Sequence, residues 1–427
     1  MSINKQSIRK TSIITLLLIS SESFALPFGI YDPRSLAMGG TGVAVSTSIN
    51  AVHYNPSLLA HYNQYKEKTG KQAFSFPVIT GRASKSVMDL SDINDQNYDT
   101  TISSSINTYN ASPTVANADL ALTNIQNLQT DLSGVSNKLI LADINASLVI
   151  GIPSKKAGGA FYITQRAVAD GNVNVSVADS ALIDDYREAL LFISSAGTQG
   201  SAHPELFSGG NLIDPVSSFN STANARAAVI TELGVSVSSL FNIWGKPIAV
   251  SLKPKVYKVE TFDYSTTITD NAVTKQNLKD EQWNLSFDLG ASYNINKTWR
   301  AGLVLKDVIP KNFPTSNGNE VKIKPQLRAG IARFSPSYTL TADIDVLENE
   351  GVYDNNKTQY LMLGVEVPLS KFKLRAGYRY AFISEIAEES GIFSFGLGFN
   401  TKSFYMDLAY TENAEQIGFG LMLGFTF

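Results

Sequence analysis

The sequence predicts an all-β protein: a transmembrane antiparallel β-barrel of about 14 strands, with an N-terminal plug and short helical insertions in its extracellular loops. Three observations predict it. Apolar residues alternate with period two, the connections between alternating segments are short and long by turns, and an export signal precedes them all.

The alternation is cleanest at the C-terminus, where Ile417, Phe419, Leu421, Leu423, Phe425 and Phe427 share one face and Gly418, Gly420, Met422, Gly424 and Thr426 the other. The same parity runs through 404–410, 393–399, 372–380, 361–367, 338–346, 299–305 and 283–293. It is looser in 322–334, 247–260, 226–239, 158–170, 138–151 and 71–82. With the final strand these make fourteen, an even number that returns the C-terminus to the side where the first strand began. The final strand, with Phe425 and Phe427, is the expected signal for the barrel-assembly machinery.

A soluble sandwich alternates too, so the connections decide what the apolar face meets. Tight turns at 294–297, 335–337, 368–371 and 400–402 take turns with longer loops near 310–320, 347–357, 383–390 and 411–416. That is the pattern of periplasmic turns and extracellular loops. Lys373, Arg375 and Arg379 oppose the apolar face of 372–380. Facing lipid, each would cost about 2–4 kcal/mol near the midplane, so they are assigned to the lumen. Asp288, Asp343, Asp345, Glu366 and Asp407 share that parity, and a polar, ion-paired lumen is expected. Trp244 and Trp299 lie beside predicted periplasmic turns, where an aromatic girdle belongs.

At the N-terminus Lys5, Arg9 and Lys10 precede the apolar run 12–19 and the small-x-small site Ser23-Phe24-Ala25. This predicts a cleaved Sec signal peptide over 1–25 and a bacterial outer-membrane destination. Loss of three cations and one anion takes the formal charge from −3 to −5. No later stretch approaches the 18 or so apolar residues of a membrane-spanning helix. The acidic balance provides no footprint for nucleic acid.

Two insertions interrupt the meander, both placed outside the cell by turn parity. Residues 84–137 show helical spacing at Leu120, Ile125, Leu128 and Leu132, and 171–225 contain a helical candidate at 181–193.

Between signal and barrel, 26–70 is expected to form a hatch threaded into the lumen. It is too short and glycine-rich to fold alone, and Gly39, Gly40 and Gly42 permit a close-packed irregular backbone while Asn55-Pro56 favours a turn. The barrel proper is expected over 71–427.

The run Met38-Gly39-Gly40-Thr41-Gly42-Val43-Ala44 and the triplet Asn55-Pro56-Ser57 resemble the FadL superfamily of outer-membrane transporters for hydrophobic compounds, in its TraF-like branch. The triplet is similar to the family's Asn-Pro-Ala hatch motif, with Ser57 at the third place. The resemblance implies a hatch-plugged barrel passing hydrophobic small molecules such as long-chain fatty acids. A chain without Cys cannot perform the redox chemistry of the thioredoxin-like protein that shares the TraF label.

The lumen cations Arg300, Lys306, Arg328, Lys373, Arg375 and Arg379 are the candidate receivers of a ligand carboxylate. No catalytic residue, metal site or cofactor is expected: only His53, His61 and His203 occur, Cys is absent, and there is no G-x-S-x-G elbow, phosphate loop, H-E-x-x-H or calcium loop. The rival reading is a non-transporting outer-membrane structural or secretion- or conjugation-associated protein that docks a partner through its long loops. An apolar pocket reachable from the lumen separates the two: present in a transporter, filled in a scaffold.

Overall fold

The computed structural model describes residues 26–61, 72–136, 138, 140–154, 157–195, 202–267, 279–353, 357–384 and 391–427. The expected signal peptide, 1–25, and the end of the expected hatch, 62–70, lie outside the described residues.

Fourteen antiparallel strands close into a barrel. In chain order they are β1 (Ala73–Ser84), β2 (Ile140–Ile152), β3 (Ala157–Asn174), β4 (Thr222–Ile243), β5 (Lys246–Thr267), β6 (Lys279–Asn294) and β7 (Trp299–Lys306). The second half comprises β8 (Gln326–Phe334), β9 (Thr339–Asp345), β10 (Lys357–Leu369), β11 (Phe372–Ser384), β12 (Ile392–Asn400), β13 (Phe404–Glu412) and β14 (Gln416–Thr426). Each pairs with its neighbours in sequence, and β14 closes on β1, Phe425 opposite Phe74. Closure is what hydrocarbon demands, because an open edge would leave peptide groups with no partner.

The connections at one end are two to four residues long; those at the other run from three to fifty-five. Outward positions are apolar and exposed to the bilayer: Ile163, Leu374, Phe393, Phe395, Phe419 and Phe425. Near the short-turn end, Phe372, Phe399, Phe404 and Phe425 on neighbouring strands form a chain of ring contacts with centroids 5.3–6.5 Å apart, and Trp244 stands free on its turn. These rings make the interfacial girdle.

The structure amends the sequence reading in three places. Residues 322–334 are not one strand: Glu320–Ile323 pairs with Lys311–Pro314 in a separate hairpin that packs Phe313 against Tyr257, and only Gln326–Phe334 belongs to the wall. Asp343 does not pair with a cation but accepts the backbone N–H groups of Gly42 and Val43. The insertions carry more helix than their spacing indicated: α3 (Lys85–Gln96), α4 (Tyr98–Ala111), α5 (Val115–Val135) and α6 (Val177–Ser194), numbered after two plug helices described below. Ile102, Ile106, Ile125, Leu128, Ile183 and Leu190 join one buried core, so the insertions build a folded cap on the long-loop end.

The lipid-facing assignment yields a prediction. Phe395→Arg, at mid-strand, should destabilise the barrel by about 2–4 kcal/mol in urea titrations in lipid vesicles, whereas Trp244→Arg at the rim should cost about 0–1 kcal/mol.

Candidate functional site

Residues 26–61 cross the lumen. Helix α1 (Pro33–Ala37) lies against β11–β14, α2 (Ala51–Tyr54) follows, and a 3-10 turn over Pro56–Ala60 reaches β3–β6 on the far wall. Of residues 32–61 only Thr47 and Ser48 are more than marginally exposed. The segment is irregular because its glycines allow it: Gly39 and Gly40 sit at φ +71° and +95°, and a Cβ on Gly377 of the wall would stand 2.1 Å from the Gly39 nitrogen.

An irregular backbone leaves peptide groups unpaired unless side chains take them. Here the wall supplies many of those side chains. Asp343 Oδ2 accepts from the N–H of Gly42 (2.7 Å) and Val43 (2.9 Å). The guanidinium of Arg300 donates to the Ala44 carbonyl and that of Arg328 to Gly40, both at 3.4 Å. Thr80 holds the Ile30 carbonyl and Gln326 that of Leu26. In the other direction, Arg34 of the plug grips Glu366 of β10 at 2.9 Å, inside a cluster with Arg375, Asp407 and Lys373.

The Asn55-Pro56-Ser57 triplet explains itself locally. Asn55 caps the 3-10 turn, its Oδ1 accepting from Ser57 N–H and Ser57 Oγ, while its amide donates to Val43 and to Ala291 of β6. Pro56 takes the first helical position, where no N–H is needed. Ser57 Oγ then reaches Ser292 Oγ at 2.7 Å, and His61 joins the same serine at 3.0 Å. Burial together with the Arg300 charge lowers the His61 pKa to about 4, so the imidazole is neutral at pH 7.

The six candidate cations do not converge. Arg300 and Arg328 hold the plug, Arg328 also pairing with Asp345 at 2.6 Å. Lys373 and Arg375 line an open vestibule of about 950 Å³ at the short-turn end, beside Ile49, Tyr405 and Met422. Lys306 and Arg379 face two narrow clefts on opposite sides of the plug. The inner cleft, against β3–β8, is lined by Leu26, Tyr31, Arg166, Tyr257 and Lys306. The outer cleft, a gap of about 10 Å³ with room for a single water, lies under the long-loop end between Ile30 and Leu36 of the plug and Arg82, Arg379, Ile392 and Gln416 of the wall. Elsewhere plug side chains fill the lumen section they cross, so neither a wide apolar pocket nor a solid interior describes it.

Sequence reasoning missed Arg82, which lines the outer cleft. Arg82 and Arg166 share one carboxylate, Asp143, which takes Arg166 bidentately at 3.0 Å and Arg82 at only 3.6 Å. Among the described residues, the Arg82 Nε and Nη1 are buried without a partner, and so is the side-chain amide of Gln416. Arg82 ends the expected strand 71–82, but its facing was not read from that looser alternation, and nothing in a single sequence gave its neighbours.

Fold and site together define an outer-membrane β-barrel closed by an N-terminal plug. The chain belongs to the family described as "F plasmid transfer operon, TraF, protein", whose sequence model matches residues 52–345, in line with the TraF-like resemblance of the hatch residues. No curated protein matches it. Among solved structures it is similar to the CymD monoaromatic hydrocarbon channel, with TM-score 0.49 and 12% identity over 94% of this chain and 99% of that one. The Ralstonia pickettii toluene transporter TbuX gives the same figures, and the Pseudomonas putida toluene transporter TodX gives 0.48 and 10% over 95% and 99%.

The wall's hold on the plug is measurable. Asp343→Ala removes a charged acceptor from two N–H groups, a loss of about 1.5–3 kcal/mol per hydrogen bond at most. Amide exchange at Gly42 and Val43 should accelerate at least about tenfold, with the β9–β10 ladder unaffected.

Proposed function

We propose that this protein is an outer-membrane channel for the passive uptake of hydrophobic small molecules, long-chain fatty acids among them, and that the plug spanning 26–61 and extending to about residue 70 is its hatch. Export by cleavage after Ala25, residence in outer-membrane lipid and assembly through the strand ending in Phe425 and Phe427 belong to the same proposal. The observation that carries it is the outer cleft. A buried guanidinium with two unpartnered nitrogens is costly, and a ligand carboxylate beside Arg82 would satisfy one of them by a charge-assisted hydrogen bond. Arg82 and Arg166 together carry one positive charge more than Asp143 neutralises. Ile30, Leu36, Ile392 and Ile417 close around the gap, and on this reading they part to seat the chain behind such a head group. Release past the plug then requires the Gly39–Gly42 and Asn55–Ser57 segments to shift, a gating step rather than chemistry.

A second reading keeps the barrel sealed and assigns docking of a secretion or conjugation partner to the cap. The cap's own hydrophobic core supports it, because polar loops of no role need none.

Calorimetry with octanoate on the purified barrel in amphipol, and uptake of radiolabelled laurate by cells carrying it, separate the two. Arg82→Gln should weaken octanoate binding about tenfold or more, and deletion of 38–57 should raise laurate entry. A barrel that binds no carboxylate, and whose permeability is untouched by the deletion, belongs to the docking reading.

A further inference from the structure

The inner cleft has a different chemistry from the outer one. Its deep wall carries three lysines, Lys253, Lys255 and Lys306, against three acids, Glu232, Asp288 and Asp307. Lys253 meets Glu232 and Asp288 at 3.0 Å each, and Lys255 meets Asp288 at 2.9 Å and Asp307 at 2.6 Å. Arg166, which also lines the cleft, is held bidentately by Asp143, so charge is balanced there, and a carboxylate entering would bring an uncompensated negative charge into a buried site. What the cleft lacks is neutral hydrogen bonding. Thr164 Oγ1 and Gln326 Oε1 line it, in residues more than nine-tenths buried, and neither has a partner among the described residues. The Lys306 ammonium, 3% exposed and without an ion pair among the described residues, has Tyr31 Oη at 3.3 Å as its hydrogen-bond acceptor.

Tyr31 is the informative residue. It belongs to the plug, not to the wall, and its phenol ring stacks on His53 with centroids 5.0 Å apart. Lys306 lies 4.7 Å from the ring centroid while donating to the hydroxyl. The wall thus binds a phenol already, by its hydroxyl and by its face. We propose that the inner cleft is a binding site for neutral hydroxylated aromatic compounds, simple phenols in the first instance, and that Tyr31 of the hatch occupies it as an intramolecular surrogate. A free phenol takes the place of the Tyr31 ring: its oxygen accepts from Lys306, its hydroxyl donates to Gln326 or Thr164, and Tyr257 and Ile230 flank the ring. Displacement of Tyr31 loosens the plug beside Phe28 and Tyr54, which it contacts through Lys306 and directly. This rests on the uptake reading in needing a lumen that admits a ligand, but it names a ligand class and a cleft distinct from the carboxylate site.

The test is fluorine NMR titration of the purified barrel in amphipol with 4-fluorophenol, fluorobenzene and 4-fluorobenzoate, empty amphipol serving as blank. Wild type is expected to bind 4-fluorophenol at least tenfold more tightly than either of the other two. Tyr31→Ala, which vacates the cleft, should bind it more tightly still. Lys306→Met should erase the hydroxyl preference, and placing it in the Tyr31→Ala background checks this if the single variant folds poorly. Equal binding of fluorobenzene, preference for 4-fluorobenzoate, absence of binding by all three, or indifference to both substitutions each overturns the proposal. Octanoate binding that depends on Arg82, combined with no hydroxyl preference, defeats this inference and leaves the uptake reading standing. A hydroxyl preference without any octanoate binding does the reverse for the carboxylate site.

Discussion

Inside hydrocarbon a peptide group has no water to bond with, and the whole molecule follows from that shortage. The wall solves it by closing β14 onto β1. Closure then dictates side-chain placement, since every residue that cannot face lipid must face the lumen. The lumen inherits a dense set of charges, and it must satisfy them within a space too narrow to hydrate them freely. The plug answers that need as much as it blocks the pore. Its carbonyls accept from Arg300 and Arg328, its N–H groups donate to Asp343, and its one arginine joins Glu366. Removing the plug would leave all of these wall groups without those partners.

The same logic explains why two clefts persist on either side of it. Where charges pair in equal numbers, as around Lys253, Lys255 and Lys306, the plug seats the Tyr31 ring against Lys306. Where two arginines share Asp143, a positive charge is left facing an apolar space. The plug is therefore bound on one side by complementary chemistry and bordered on the other by an unmet demand. On the proposed reading, a gate made this way needs no hinge of its own: a ligand that meets the demand, or competes for the complement, would change the balance that holds the segment in place.

Much of this was legible in the residue order, and the limit has a physical cause. Period-two alternation is a property of one strand, so 393–399 and 417–427 declared their lipid faces unaided. Lys373, Arg375 and Arg379 were assigned inward by energy, and Arg375 does reach Glu366 and Asp407 across neighbouring strands. Partner choice is different, because it depends on register between segments hundreds of residues apart: Gly42 meets Asp343, and Arg34 meets Glu366. Parity placed Asp343 in the lumen but could not say that backbone N–H groups, rather than a cation, would claim it. The hairpin at 311–323 escaped because its four-residue strands alternate like the wall they leave. The helices α3 and α4 escaped because their Ser, Thr and Asn content reads as loop, and only the shared core with α5 and α6 makes them fold.

The central claim is that the hatch motif must part from the wall for a ligand to pass. Ser57 and Ser292 present their oxygens to each other at 2.7 Å in a chain that has no cysteine, so Ser57→Cys with Ser292→Cys provides a reversible bolt between plug and β6. Laurate uptake by cells carrying the double variant should stop under oxidation and recover on reduction. Uptake at the same rate with the bolt closed and open would contradict the account.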